Sequence, residues 1–438
     1  MKPSIGEKLQ ISIQRLGIHG EGIGEWKGLT IFVDGALPGE TVTASVVEVR
    51  KNFARATVDA FETLSPHRVA PPCPVFGRCG GCQLQHLDYS HQLETKRQRV
   101  VDAFERIGKL FDVPVSKCVP SPEPFAYRNK IQLPVVVDSD LRLGLYAFNS
   151  HEIIEIDKCY IHCELGEEAF HRIRRVLKTV PEIWPSLRHV LVKTGVATGQ
   201  VLVILVTDGE GSPLLTSVAS QILEALPQIQ GVVQNINTSP GNVILSSKYR
   251  TLAGQPYIED LICGLKFKVS PASFFQVNPR QAEKLYQQAL TFAELQGNET
   301  VLDAYCGVGT LSLIFAQKAK KVIGIEVVPA AIEDAKENAQ LNQIKNAAFV
   351  CAKAEDYIAR LEGIDTAVLN PPRKGCDPQF LEVLGKLQPK KLVYISCDPA
   401  TLARDLAILK SKGYAIQAAV PFDMFPQTMH VECVVKLS

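Results

Sequence analysis

Glu299-Thr-Val-Leu-Asp303-Ala-Tyr305-Cys-Gly307-Val-Gly309-Thr310 reads as a short apolar strand, an acidic residue, a Gly-x-Gly turn and the first turn of an apolar helix, Leu311 to Ala319. A second apolar run, Lys321-Val-Ile-Gly-Ile-Glu326, follows at once. Strand, glycine turn, helix and strand in this order make one βαβ unit, and such units build parallel sheets. The rhythm continues outward. Ala347-Ala-Phe-Val-Cys351 reads as a third strand, Thr366-Ala-Val-Leu-Asn370 as a fourth and Lys391 to Cys397 as a fifth. Tyr414 to Val420 and His430 to Leu437 supply a sixth and a seventh. Helical segments separate the first five (Pro329 to Leu341, Glu355 to Leu361, Gln379 to Leu387), so a doubly wound, Rossmann-like sheet of seven strands is expected.

The chemistry of the first turn points to a nucleoside ligand. Glycines let the backbone approach a ligand closely, and the helix that starts there offers free N–H groups to a carboxylate. Glu326 lies 23 residues after Asp303, where a carboxylate accepts hydrogen bonds from ribose hydroxyls. The dinucleotide fingerprint Gly-x-Gly-x-x-Gly is incomplete because position 312 is Ser. That favours S-adenosylmethionine over a nicotinamide cofactor.

The fifth strand ends in Ser396-Cys397-Asp398-Pro399, and a helical segment follows. Strand C-termini of an open α/β sheet line the crevice where ligands bind, which presents Cys397 to a substrate. The competing reading is a buried structural thiol, a common fate of free cysteine.

Taken together, the ordered motifs resemble the S-adenosylmethionine-dependent RNA uracil-5-methyltransferases. They are Ser273-Phe274-Phe275-Gln276-Val277-Asn278, Asp303 to Gly309, Asn370-Pro-Pro-Arg373-Lys-Gly375, Ser396-Cys397-Asp-Pro399 and Met424-Phe425-Pro426-Gln-Thr-Met-His430-Val-Glu432. The resemblance implies a class I methyltransferase fold and a covalent mechanism. Cys397 adds to C6 of a uracil, C5 becomes nucleophilic and takes the methyl group, and Glu432 as general base removes the C5 proton before Cys397 leaves. It also implies that Gln276, Tyr305, Gly307, Gly309, Glu326 and Asn370 bind the cofactor, with Gln276 alternatively on the uracil, and that Phe274 stacks on a flipped base. Phe274 and Phe275 fit a core position equally well. The family usually has Asp where this chain has Asn370, which keeps a carbonyl acceptor but not the charge. Lys353 stands where some relatives carry an acid, and Glu355 is the substitute. Asn-Pro-Pro also occurs in methyltransferases of exocyclic amino groups. Those place an aromatic residue next, where this chain has Arg373, and they leave Cys397 and Glu432 without roles. A catalytically degenerate RNA-binding protein is the remaining alternative.

Residues 1–62 show short apolar runs with glycine turns and no helical period, the pattern of a small oligonucleotide-binding-like β-barrel. Gly20-Glu-Gly22-Ile-Gly24, Ile31-Phe-Val33, Ala36-Leu-Pro38-Gly39-Glu40 and Phe53-Ala-Arg55-Ala56 resemble a TRAM domain, an RNA-binding module. Seven basic and seven acidic residues among the first 60 make no basic patch, so RNA binding rests on the resemblance. Arg50, Lys51 and Arg55 are candidate phosphate contacts, although solvated charge is the default.

Cys73-Pro-Val-Phe-Gly-Arg-Cys79-Gly-Gly-Cys82 follows Pro71-Pro72. Three closely spaced thiols with a distant fourth fit an iron–sulfur cluster, and the paired short spacings of a zinc site are absent. Zinc stays open as an alternative. The resemblance implies a [4Fe-4S] cluster on Cys73, Cys79, Cys82 and a fourth cysteine. Asp157-Lys158-Cys159-Tyr160 matches best, with Cys163 second.

Residues 63–270 read as a β-rich α+β central domain and 271–438 as the methyltransferase domain. The helix at about 91–109 is expected to pack on the latter. Its Lys96, Arg97 and Arg99 are expected on an ordinary solvated face, with phosphate binding as the alternative. A chain of 438 residues allows several domains with ample core, and a net charge of +1 excludes a purely electrostatic nucleic-acid binder. No apolar run reaches transmembrane length and no signal segment is evident, so a cytoplasmic enzyme is expected. Its partner is RNA, more consistent with 23S rRNA than with tRNA, and nothing calls for an obligate protein partner.

Overall fold

The computed structural model describes residues 2–438, which form two compact units. The first runs to Lys96 and includes Tyr146–Ile154 and Phe425–His430; the second comprises Arg97–Leu145, Glu155–Met424 and Val431–Ser438.

In the first unit, strands Lys8–Leu16, Gly22–Trp26, Leu29–Asp34, Thr41–Val49 and Phe53–Thr63 close into a barrel. All neighbours are antiparallel except Leu29–Asp34 beside Phe53–Thr63. Alternation explains the closure. Leu9, Ile11 and Ile13 point inward with Val42, Ala44 and Val46, while Lys8, Gln10 and Ser12 face out. Each buried aliphatic side chain contributes about 1.5–3 kcal/mol. Glu40 is an exception among these core positions. Its buried carboxylate accepts from Leu37 N–H at 2.7 Å and pairs with Arg68 Nε at 2.5 Å. Burial opposes its ionisation, but Arg68 and the backbone N–H groups outweigh burial and hold the pKa below the ordinary value. Stability from this pair is therefore present above the usual glutamate range and lost as pH falls. Glu40→Ala, which leaves the partly buried Arg68 without its counter-ion, is expected to cost about 3 kcal/mol in a denaturant titration.

Arg50 and Arg55, candidate phosphate contacts, lie beside one carboxylate. Both pair with Glu48, at 2.5 and 3.7 Å. In the helix Tyr89–Ala103, Lys96 is fully buried and donates to Phe425 O at 3.0 Å, which corrects the expectation of a solvated face. Gln92, buried four residues earlier, donates to Leu84 O, Leu87 O and Gln427 Oε1, and accepts from Gln427 N–H. These bonds hold the segment that precedes Glu432.

Besides a two-stranded sheet, Ile258–Ile262 with Leu265–Val269, the second unit holds two large sheets. One contains Tyr249–Gly254, Ile229–Ile236, Gln200–Thr207, Leu187–Gly195, Lys130–Val137 and Leu141–Tyr146 in that spatial order, flanked by helices Glu164–Lys178 and Leu215–Ala225. The other is seven-stranded, in the order Ala347–Cys351, Lys321–Glu326, Thr300–Ala304, Thr366–Leu369, Lys391–Ser396, Glu432–Leu437, Ile416–Phe422. The first five strands are parallel, and the last two run antiparallel to their neighbours. Val100, Ala103, Phe104 and Leu110 bury in the same core as Leu302, Leu369, Tyr394 and Leu402. Strand order reverses beside Thr300–Ala304, which opens a crevice at the strand C-termini. Among the described residues no helix is long and apolar enough to cross a membrane.

Candidate active site

Every chain segment that leaves the parallel strands at this end contributes to one cavity of about 680 Å³. The turn after Thr300–Ala304 is held by Tyr305 N–H and Cys306 N–H, which both donate to Ile325 O at 2.9 Å. Tyr305 takes a positive φ of 91°, a strained conformation for a side-chain-bearing residue. The two glycines of the turn serve different ends. At Gly307, φ is 54° and a Cβ would meet nothing within 4 Å, which leaves this face open to a ligand. Gly309 is buried and does not line the cavity. Its φ is 83°, and a Cβ would press on Ala335 and Phe349 at 3.1 Å, so it allows close packing at the N-cap of helix Thr310–Ala316.

Glu326 ends its strand at the cavity. One carboxylate oxygen accepts from Val327 and Val328 N–H at 2.8 and 2.9 Å and the other from Gly307 N–H at 3.2 Å. The backbone thus fixes the carboxylate that faces the glycine turn. Behind it, Asp303 is buried and accepts from Ser312 Oγ at 2.6 Å. Burial pushes its pKa up to about 6 against the Ser312 bond.

Asn370, half-buried, leads Pro371, Pro372 and Arg373 along the wall. This loop is fastened to the helix Pro399–Ser411. Thr401 Oγ1 donates to Arg373 O at 3.1 Å, Arg404 to Lys374 O at 2.9 Å, and buried Asp405 accepts from Cys376 N–H at 2.8 Å and Tyr394 Oη at 2.5 Å. Asp398 caps that helix through Ala400 and Thr401 N–H, which sets Cys397 at the strand–helix junction.

Cys397 and Glu432 meet through sheet register. Antiparallel pairing runs from Leu392–Leu437 to Ser396–Cys433, and Cys397 and Glu432 are each the next residue beyond that last pair. Both line the cavity. Glu432 is 6% exposed, and burial pushes its carboxyl up to about 7. The Cys397 thiol is also raised, first by burial and then by the Glu432 carboxylate, with Arg373 acting in the opposite sense.

The roof comes from the loop before helix Pro279–Ala293. Phe274 and Phe275 both line the cavity; Phe274 is 73% exposed, whereas Phe275 is partly buried and packs against Phe267 and the apolar cluster that includes Val269. Gln276 is buried and its carbonyl accepts from Asn129 Nδ2 at 3.2 Å. Lys193 donates to Ser270 O and Ser273 O at 2.7 and 2.9 Å, tying this loop to the central sheet. Lys353 and Glu355 both reach the cavity.

Sequence reading had given no place at the site to Tyr286, Ile262 and Arg373. Tyr286 is buried on the apolar face of its helix, a pattern indistinguishable from ordinary core. The detectable signal was Arg373, a cation one residue after Asn-Pro-Pro. The cysteines Cys73, Cys79 and Cys82 lie in the first unit, and Cys159 lies in the second. Gly81 N–H donates to Cys79 Sγ at 3.4 Å, and the Cys79 thiol is raised by burial and, to a lesser degree, by Cys73.

A family model described as tRNA (Uracil-5-)-methyltransferase matches residues 88–438, and a TRAM domain model matches residues 3–58. An uncharacterized RNA methyltransferase of Listeria monocytogenes serotype 4b (strain F2365) is 44% identical over 443 residues, covering 98% of this chain and 97% of its own. One from Bacillus cereus (strain ATCC 10987 / NRS 248) is 43% identical, covering 99% and 96%. Among solved structures, the Pyrococcus abyssi tRNA (uracil-54, C5)-methyltransferase in complex with S-adenosyl-L-homocysteine superposes with a TM-score of 0.78 at 29% identity, covering 98% of this chain and 100% of its own. With its parallel sheet, glycine turn and TRAM barrel, the chain belongs to the RNA uracil-5-methyltransferase family.

Proposed function

We propose that this enzyme methylates C5 of a uridine in RNA, with Cys397 as nucleophile and Glu432 as general base. The carrying observation is that Cys397, just past the end of Lys391–Ser396, and Glu432, at the start of the neighbouring antiparallel strand, line one cavity that also holds the glycine turn and Glu326. Uracil C5 is a poor nucleophile. Addition of deprotonated Cys397 Sγ to C6 breaks the C5=C6 π bond and moves its electron pair towards C5 and the O4 enolate. S-adenosylmethionine, when bound, supplies the electrophilic methyl group. Glu432 then accepts the C5 proton, the C6–S bond breaks, and C5=C6 re-forms with Cys397 released.

The residues present fit the cofactor. Gly307 leaves space beside the backbone, and the fixed Glu326 carboxylate suits a pair of ribose hydroxyls. Gln276, Tyr305 and Asn370 line the remaining wall, while Gly309 supports the turn from behind. Exposed Phe274 suits stacking on a uracil turned out of its helix or loop.

We assign Cys73, Cys79, Cys82 and Cys159 to a [4Fe-4S] cluster. The Gly81 N–H···S bond favours a thiolate at Cys79, and hydrogen bonds of this kind tune such clusters. The functional division we propose is a TRAM barrel at 1–62, a central domain at 63–270 and a catalytic domain at 271–438, in a cytoplasmic enzyme. The RNA is 23S rRNA in this reading, supported by the pairing of a TRAM module with the cysteine motif. Asn370 in place of Asp leaves the covalent chemistry intact, since Cys397 and Glu432 carry it.

The test is nucleoside mass spectrometry after incubating anaerobically purified protein with unmodified 23S rRNA, tRNA and S-adenosylmethionine. 5-Methyluridine in rRNA alone is the expected result. In tRNA alone, it would keep the mechanism and overturn the substrate. A methylated amino base would overturn both.

A further inference from the structure

We propose that His67, Asp88 and His91 form a binding site for one divalent transition-metal ion, separate from the cysteine motif and from the methyl-transfer cavity. Three observations carry it. The first is spacing. His67 Nδ1 lies 3.1 Å and His91 Nδ1 3.0 Å from Asp88 Oδ2, and one donor atom from each residue falls within 4.8 Å of the others. An ion with bonds of roughly 2.0–2.2 Å to nitrogen and oxygen holds tetrahedral donors about 3.4 Å apart.

The second observation is the pair of rings. The two imidazoles stack with centroids 3.2 Å apart at 20°, and both turn Nδ1 towards the same carboxylate. Aromatic pairs ordinarily settle at about 4.5–7 Å. Near-parallel rings with the same edge turned one way oppose each other's dipoles, and protonating both adds charge repulsion. A cation shared by the two Nδ1 atoms and Asp88 converts that opposition into attraction.

The third is that backbone, not flexible side-chain reach, builds the set. Asp88 N–H donates to His67 O at 2.9 Å and Val69 N–H to His86 O at 3.0 Å, around the Arg68–Leu87 bridge, so residue 67 stands opposite residue 88. His91 follows one helical turn later, and its N–H donates to Asp88 Oδ1 at 3.0 Å. Ser90 Oγ reaches the same oxygen at 2.7 Å and fixes the carboxylate further. Ligands held by such a frame lose little freedom on binding.

The donor set names the class of ion. Two imidazoles and a carboxylate suit zinc, cobalt or nickel, whereas calcium and magnesium prefer all-oxygen shells. The side chains are 40%, 29% and 42% exposed, so an ion reaches them from solvent and keeps water in its open positions. The bound ion clamps the segment after the barrel to the start of helix Tyr89–Ala103, which stabilises this unit by an amount that grows with the logarithm of ion concentration above the dissociation constant.

The experiment uses full-length, anaerobically purified, cluster-loaded protein, titrated with Co²⁺ and followed by calorimetry and absorption. Zn²⁺ is added separately in thermal melts. The comparison variants are His67→Gln and His91→Gln, both at partly exposed positions and checked for fold by circular dichroism and for retained 5-methyluridine formation. The expected result is one Co²⁺ equivalent without a thiolate-to-cobalt charge-transfer band, lost in both variants, and a Zn²⁺-dependent rise in melting temperature in the wild type alone. Equal binding by wild type and variants would overturn the proposal. So would a thiolate charge-transfer band, which assigns the ion to cysteines, or no binding to folded wild type.

Discussion

Cys397→Ala is expected to lower methyl transfer by a factor on the order of 10⁴ or more, because a covalent mechanism without its nucleophile has no second route. The same variant should bind S-adenosylhomocysteine as the wild type does. Cys397 leaves the end of strand Lys391–Ser396, whereas Gly307 follows Thr300–Ala304 and Glu326 ends Lys321–Glu326, both on the other side of Thr366–Leu369. Nor does its thiol organise the neighbouring backbone. Asp398 caps the following helix, and Asp405 with Arg404 holds the Asn-Pro-Pro loop. The measurement is 5-methyluridine formation beside calorimetric cofactor binding. Turnover close to wild type would end the covalent reading. Loss of cofactor binding as well would make Cys397 a structural residue.

The second large effect concerns Glu432. Glu432→Gln should let Cys397 and the methyl group add but block removal of the C5 proton. A protein–RNA adduct should then accumulate and survive denaturing electrophoresis. No retarded band, with residual turnover, would remove Glu432 from the role of base. The substitution also changes stability, with a sign set by burial. The folded-state pKa is about 7 against 4.5 for the free side chain, so the fold opposes ionisation of this group. Below the unfolded value both states are protonated and nothing is lost. Stability falls as pH rises between the two values, and the full penalty is present above about 7. At ~1.36 kcal/mol per pKa unit the penalty approaches roughly 3 kcal/mol. Glu432→Gln should therefore melt at a higher temperature than wild type above about pH 8, and at a similar temperature below about pH 5. Wild-type turnover should rise with pH, through about 7 as the Glu432 carboxylate forms and further as the raised Cys397 thiol deprotonates. If Glu432 is the base, it costs stability at the pH where it acts, a common arrangement at active sites.

The parallel half of the fold was legible because each strand and helix there carries its own period and stop signals. Thr300–Ala304, the glycine turn and Lys321–Glu326 fall within a residue or two of where hydrophobic pattern and glycine put them. The same local logic shows the barrel, whose alternation on Lys8–Leu16 and Thr41–Val49 needs only two faces. Legibility failed where two residues offered the same chemistry. Phe274 and Phe275 are adjacent and identical and both line the cavity, yet only Phe275 also packs against an apolar cluster. Lys96 failed for a different reason. A lysine is solvated by default, and a carbonyl 329 residues away, Phe425 O, accepts from this buried ammonium.

The amino-acid sequence alone determined the βα order, the glycine turn, the carboxylate at Glu326 and the motifs that name the family, because these depend on neighbours a few residues apart. Tertiary structure decided which of those residues meet. Cys397 and Glu432 are brought together because Glu432–Leu437 inserts antiparallel between Lys391–Ser396 and Ile416–Phe422, and a one-residue slip would turn every side chain of that strand to the other face. Burial at that register then sets the proton affinity of Glu432, a property of the assembled sheet that no single stretch of the chain carries.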